Sequence, residues 1–240
     1  MHPHILIVGD SITLGAAEVR GNQVARTVAP TYVDHLRDHL PHASFRVDAA
    51  VLRTTAGLHP HVVSLLESRR PDILLLMLGG NDADIDWRRF VLSEGRTVRN
   101  NVPVERFLAN LSSLAAAGSA VEAQVILVDV PNHNLALRAR WMSEMIGRDV
   151  TELIERSGGQ AESDRHLAQY NQGIRSLTVQ CDAVLAPWAQ AIETIAPEHR
   201  FGPDYTHPGE RAHRVIAQAL LPAIARAAGR GSHRRLLVAG

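Results

Sequence analysis

Apolar residues along this chain fall into two patterns: short, nearly unbroken runs, and longer stretches in which they recur every three or four positions. The runs at 4–9, 44–52, 72–79, 124–130 and 182–186 have the length and composition of strands buried on both faces. The stretches at 31–40, 58–69, 104–117, 166–179 and 210–228 carry the spacing of amphipathic helices. Pro71, Pro103, Pro131 and Pro187 punctuate the joins. Apolar strands that alternate with helices predict an α/β sandwich, with a five-stranded parallel sheet covered by helices on both sides.

One segment does not fit this alternation. Residues 131–164 are too many for a strand-to-helix turn, and they hold Trp141, Met142, Met145 and Ile146 among charges. They read either as an inserted lid or specificity segment, or as a surface excursion without a catalytic role. Residues 1–228 form a single expected domain, and the basic, then apolar 229–240 reads as a fraying tail. With 45% hydrophobic residues, the 240-residue chain suffices for one sizeable core.

Charge narrows the partners by exclusion. Lys plus Arg number 25 and Asp plus Glu 25, so no global field favours nucleic acid or an anionic membrane. No apolar stretch approaches the ~20 residues of a membrane span. The first strand begins almost at the N-terminus, leaving no room for a signal peptide, so a cytoplasmic protein is expected. Cys181 stands alone and cannot form an internal disulfide. His59-Pro60-His61 lacks a thiolate or carboxylate at ligand spacing, and Asp84 and Asp86 lack the rest of a calcium loop, so neither a metal nor another cofactor is expected. The sequence leaves the oligomeric state open.

Ligands gather at the carboxyl ends of strands in an open parallel sheet, and the chemically capable residues fall there. Ser11 follows the first strand in GDSITLG (9–15), where small residues permit a sharp turn and an exposed hydroxyl. Asp204 and His207 stand three apart in GPDYTHP (202–208), before the last helix, a spacing that lets one tight loop hold a carboxylate against an imidazole. A serine needs such a base, the base needs an orienting carboxylate, and the developing oxyanion needs donors, of which the Asn81 side chain is one. Taken alone, Ser11 would read as a helix cap; the distant Asp-x-x-His reverses that weighting. Asp10 and Asp82 are assigned to loop hydrogen bonding.

The blocks GDSITLG, LGGND (78–82) and DYTH (204–207), in this order, resemble those of the SGNH (GDSL-type) hydrolases, and the resemblance spans essentially the whole chain. It implies a three-layer α/β/α, flavodoxin-like fold, metal-independent cleavage of esters or thioesters, and a triad of Ser11, Asp204 and His207. It also implies an oxyanion hole built from the Ser11 amide, the Asn81 side chain and a backbone amide after the second strand. The second block departs from the family's Asn-x-Gly-x-x-Gly: 48–57 reads DAAVLRTTAG, with Arg53 at the donor glycine's place and Gly57 as the donor only if the loop is shifted. A backbone donor survives substitution where its φ is negative. The Arg53 side chain either pairs with an acid such as Asp48 or Asp82 to brace the loop, or recognises an anionic substrate. Three functions remain open: hydrolysis of a small carboxylic, O-acyl carbohydrate or thio ester through an acyl-enzyme on Ser11; acyl transfer from the same intermediate; or ligand binding without catalysis.

Overall fold

The computed structural model describes residues 2–132 and 134–238. In chain order the elements are β1 (His4–Gly9), β2 (Ala16–Arg20), β3 (Gln23–Thr27), α1 (Tyr32–His39), β4 (Ser44–Ala49), α2 (His59–Arg69), β5 (Ile73–Met77), α3 (Gly80–Ala83) and α4 (Trp87–Leu92). They continue as α5 (Val104–Ala120), β6 (Gln124–Val128), α6 (Leu135–Ile146), α7 (Thr151–Arg156), α8 (Gly159–Gln180), β7 (Val184–Ala186), α9 (Trp188–Ile192), α10 (Pro197–Arg200) and α11 (Glu210–Val238).

The sheet is parallel throughout, in the order β4-β1-β5-β6-β7. Its second, first, third, fourth and fifth strands in chain order lie side by side, the flavodoxin-like arrangement. Strand periodicity sorts the apolar runs onto two faces. Ile5, Ile7, Ile73, Leu75 and Ile126 face a layer with Tyr32, Trp188 and Ile216, while Leu6, Val8, Leu74, Leu76 and Leu127 face Val62, Phe107 and Ile174. Both faces are dry, which is why these strands are unbroken apolar runs. Gly9 of β1 pairs with Ala49 on one side and Met77 on the other. That register sets the loops after β4, β1 and β5 level with one another.

Two features depart from the expectation, the hairpin and the C-terminal end, and the 131–164 segment has a core of its own. The hairpin of β2 and β3 was hidden because β2 is buried at successive residues without alternation while β3 is largely exposed, and its sole buried charge, Glu18, is neutralised within the hairpin by Arg20 (2.7 Å) and Arg26 (3.1 Å). The 131–164 segment contributes α6, α7 and the start of α8, and closes a small core of its own in which Leu135, Ala139, Val150, Leu153 and Ile154 pack with Phe90 of α4. The expected tail instead continues α11 as far as Val238, with positions 239 and 240 outside the described residues. A helical glycine costs only about 1 kcal/mol relative to alanine, and Arg230 anchors the extension by bonds to the Asp182 carboxylate (3.0 Å) and carbonyl (3.2 Å).

Phe107 lies fully buried under Gly79, its ring 5.2 Å from that of Tyr170, so it joins α5 and α8 beneath the loop after β5. Phe107→Ala is expected to lower stability by about 3–5 kcal/mol, read as a fall in the urea unfolding midpoint. A loss below about 1 kcal/mol would show that the neighbouring layer closes over the void.

Candidate active site

At the end of β1 the chain turns so tightly that a Cβ on Gly9 would meet Thr13 Oγ1 at 2.0 Å. Glycine is thus required there, and the turn lifts Ser11 over the sheet. Ser11 Oγ lies 2.8 Å from His207 Nε2, and His207 Nδ1 lies 2.5 Å from Asp204 Oδ2. Because Asp204 is ionised, Nδ1 carries the proton it donates, which leaves Nε2 to accept from the serine hydroxyl.

Asp204 is wholly buried, and four donors hold it. Oδ1 accepts the amides of Thr206 and His207, both at 3.0 Å; Oδ2 accepts the His207 ring and the Val19 amide at 3.1 Å. Burial by itself would raise its pKa, but the hydrogen bond and charge of His207, with the two loop amides, outweigh burial and hold it at about 2. Asp10 shows the opposite balance. Burial dominates there, only partly countered by the Ile12 amide and the charge of His207, and its pKa rises to about 6. Burial likewise raises Asp82 despite its bonds from Thr55.

Asn81, in α3, directs Nδ2 to the Arg53 carbonyl (3.0 Å) and, more distantly, to Asp10 Oδ2 (3.4 Å). Asp82 ties the second-block loop to the third block: it accepts Thr55 Oγ1 at 2.6 Å and the Thr55 amide at 2.9 Å, and Asn110 donates to Thr55 Oγ1 in turn. Asp10 and Asp82 thus serve as loop anchors. The Arg53 guanidinium turns to Asp48, with Nη1 2.6 Å from Oδ2 and 2.7 Å from the carbonyl, and reaches the Gly9 carbonyl at 3.3 Å. Its backbone amide makes a long bond, 3.4 Å, to Ala50 O. Thr54, not Arg53 or Gly57, lines the cleft above Ser11.

That cleft, of about 570 Å³, joins Ser11, Asn81 and His207 to the side chains of Trp87, Trp141 and Met142. The aromatic and methionine wall therefore comes from α4 and from α6 of the inserted segment. Asp84 accepts the Ile85 amide and Trp87 Nε1 and faces Arg138 at 3.6 Å, while Asp86 caps α4 through the Arg89 amide. His61 bonds Asp48 at 3.1 Å. Among the described residues, no three His, Cys, Asp or Glu side chains group as metal ligands. Sequence reasoning did not single out the Val19 amide or Arg138, whose guanidinium donates to the Asp204 carbonyl. Neither has a local signal, since each reaches its partner only through the fold.

The family described as GDSL-like Lipase/Acylhydrolase matches residues 7–215. Among solved structures, the chain is similar to TesA (17% identity, 93% of this chain and 99% of that one, TM-score 0.64). It is also similar to the psychrotrophic esterase EstA from Pseudoalteromonas sp. inhibited by monoethylphosphonate (17%, 93% and 97%, TM-score 0.60). A third likeness is to Axe2, an acetylxylan esterase from Geobacillus stearothermophilus (20%, 92% and 94%, TM-score 0.60). No curated protein matches. Among the described residues no helix is long and apolar enough to cross a membrane.

The raised pKa of Asp10 carries a sign. A folded-state value near 6 against an ordinary 3.8 means that the folded protein holds the proton more tightly. Its contribution to stability is then complete below about pH 4 and is lost as pH rises towards and through 6. Asp10→Asn, which keeps an acceptor for the Ile12 amide, should remove a stability slope of about 1.4 kcal/mol per pH unit in that window, measured by urea unfolding from pH 4 to 7. Identical slopes in the two proteins would mean that Asp10 is ionised throughout.

Proposed function

Because the chain belongs to the GDSL-like lipase/acylhydrolase family, we propose that it is a serine esterase that cleaves a small ester through an acyl-enzyme on Ser11. The observation that carries this reading is the continuous line from Ser11 Oγ to His207 to Asp204, at 2.8 and 2.5 Å, at the floor of the cleft. Axe2 lends support from outside the chain. Its catalytic mutants include an aspartate and a histidine three positions apart, the spacing of Asp204 and His207.

Ser11 Oγ attacks the ester carbonyl carbon while its proton passes to His207 Nε2, and Asp204 stabilises the imidazolium. The carbonyl oxygen becomes an oxyanion, held by the Ser11 amide and by Asn81 Nδ2. Arg53 supplies the third donor through its amide, whose 3.4 Å bond to Ala50 is at the edge of hydrogen-bonding range and cheap to exchange. Collapse breaks the bond to the alcohol, which leaves with the proton from His207. Water then repeats the sequence, releasing the acid and restoring Ser11. No step requires a metal, and activity in EDTA is part of the proposal. The cleft accommodates the ester between the sheet end and the wall made by Trp87, Trp141 and Met142.

Ser11→Ala should abolish release of p-nitrophenol from p-nitrophenyl acetate without changing the unfolding midpoint, and an ethyl p-nitrophenyl phosphonate should release p-nitrophenol and leave the mass of its phosphonyl group on Ser11 alone. Full turnover by the folded variant would end the serine-esterase reading. Arg53, with its guanidinium committed to Asp48 and Gly9, braces the oxyanion loop. Arg53→Ala should therefore lower kcat by roughly tenfold on neutral and anionic esters alike, the cost of a loosened donor. A selective rise of KM for anionic esters would assign the guanidinium to substrate binding instead.

A further inference from the structure

Arg138 lies on α6, outside all four sequence blocks, yet its guanidinium reaches into the acid loop. Nη1 donates to the carbonyl of Asp204 at 3.2 Å, and Nη2 stands 3.6 Å from Asp84 Oδ2. The guanidinium carbon sits 5.0 Å from the centre of the Trp141 ring. With 12% of its side chain exposed, Arg138 is a largely buried cation, and burial at that level is tolerated only with partners. The partners it has are those that matter to the cleft. Asp84 also accepts Trp87 Nε1 at 3.1 Å, so Arg138 ties one tryptophan of the wall to the other and both to the Asp204 loop.

The carbonyl it holds is a sensitive one. Tyr205, the next residue, has φ of 55°, in the left-handed region that costs a non-glycine residue about 1–2 kcal/mol. The Asp204–Tyr205 peptide must keep its orientation for the amides of Thr206 and His207 to point back at Asp204 Oδ1. Within the loop only Thr206 Oγ1 also bonds that carbonyl, at 3.3 Å. Resting on the serine-esterase reading, we infer that Arg138 is a positioning residue: α6 fixes the Asp204–His207 loop through its guanidinium, and so sets the imidazole against Ser11. The inserted segment thereby acts as a structural member of the catalytic machinery as well as a wall of the cleft.

Arg138→Ala is expected to lower kcat on p-nitrophenyl acetate by roughly 10- to 100-fold, the range for a small displacement of a catalytic group, with KM changed less than about threefold. Arg138→Lys keeps a charge but cannot span both partners with a planar fork, and should recover part of the loss. Arg138→Met retains the apolar stem beside Trp141 without a donor, and replaces Arg138→Ala as the test if that variant does not fold. A readout independent of turnover is the far-downfield proton resonance of the His207 Nδ1–H shared with Asp204, identified by its loss in His207→Ala. It should broaden or vanish in Arg138→Met and return in part in Arg138→Lys. Wild-type kcat with an unchanged resonance in Arg138→Met overturns the inference, as does a rise in KM alone, which would make the guanidinium a substrate ligand. A wild-type protein that shows the resonance but neither cleaves esters nor takes up phosphonate would overturn the esterase reading and leave the resonance test of Arg138 standing.

Discussion

A carboxylate removed wholly from water must be given back, donor by donor, what the water supplied, and much of this protein's architecture meets that demand at Asp204. Two of its four donors are amides of its own loop and one is the His207 ring; the fourth, the Val19 amide, arrives from β2. The hairpin can deliver that amide only if the acid loop lies against it. At Gly202 the approach is so close that a Cβ would sit 2.1 Å from the Ala17 carbonyl oxygen. Gly202 before Asp204 and the strand after Ser11 are thus two halves of one contact. Ionised Asp204 in turn fixes the tautomer of His207, and through it the hydrogen bond to Ser11.

The sheet register brings the remaining parts within reach. Because Gly9, Ala49 and Met77 are level, the turns that follow them meet over the strand ends, and bonds between the turns do the finer work. Asp82 holds Thr55, Asn81 reaches Arg53, and Arg53 holds Asp48 and Gly9. Each loop is thereby positioned by another loop and not by the sheet alone. The buried acids among them differ in charge behaviour for a stated reason: Asp204 has more donors than its burial requires, whereas Asp10 has fewer.

Much of this was legible in the sequence, and the reason is physical. Strands covered on both faces are apolar at every position, so β1, β5 and β6 stand out as runs; buried Leu74 and Leu75 need no periodicity to announce them. Ser11, Asp204 and His207 stood out as candidates because the proposed chemistry demands particular residue types in tight turns, and the fold brings the three side chains into one hydrogen-bonded line. The hairpin was not, although Gly21-Asn22 between Arg20 and Gln23 is a two-residue turn signal of the kind that joins antiparallel strands. Its short strands, with bulged pairing, alternate too weakly to declare a buried face. Arg138 was illegible for a different reason: the carbonyl it holds is 66 residues away, and a bond to a backbone oxygen leaves no mark on the partner's identity.

The altered second block shows how an arginine can stand at this point of the loop without backbone strain of its own. Glycine is obligatory where φ is positive or where a Cβ has no room. In this loop the left-handed conformation falls on Leu52, with φ of 57°, and not on Arg53. Arg53 therefore needs no glycine backbone, and its side chain leaves the cleft towards Asp48, where it caps carbonyls at the ends of β4 and β1. The strained conformation sits one residue earlier, on a leucine exposed enough to need no packing there. What the loop gives up in conformational ease at Leu52 is offset by a charge-assisted bond of 2.6 Å and two carbonyl contacts at Arg53. The guanidinium thus makes a braced turn of this loop, whose Arg53 amide bonds the Ala50 carbonyl at 3.4 Å.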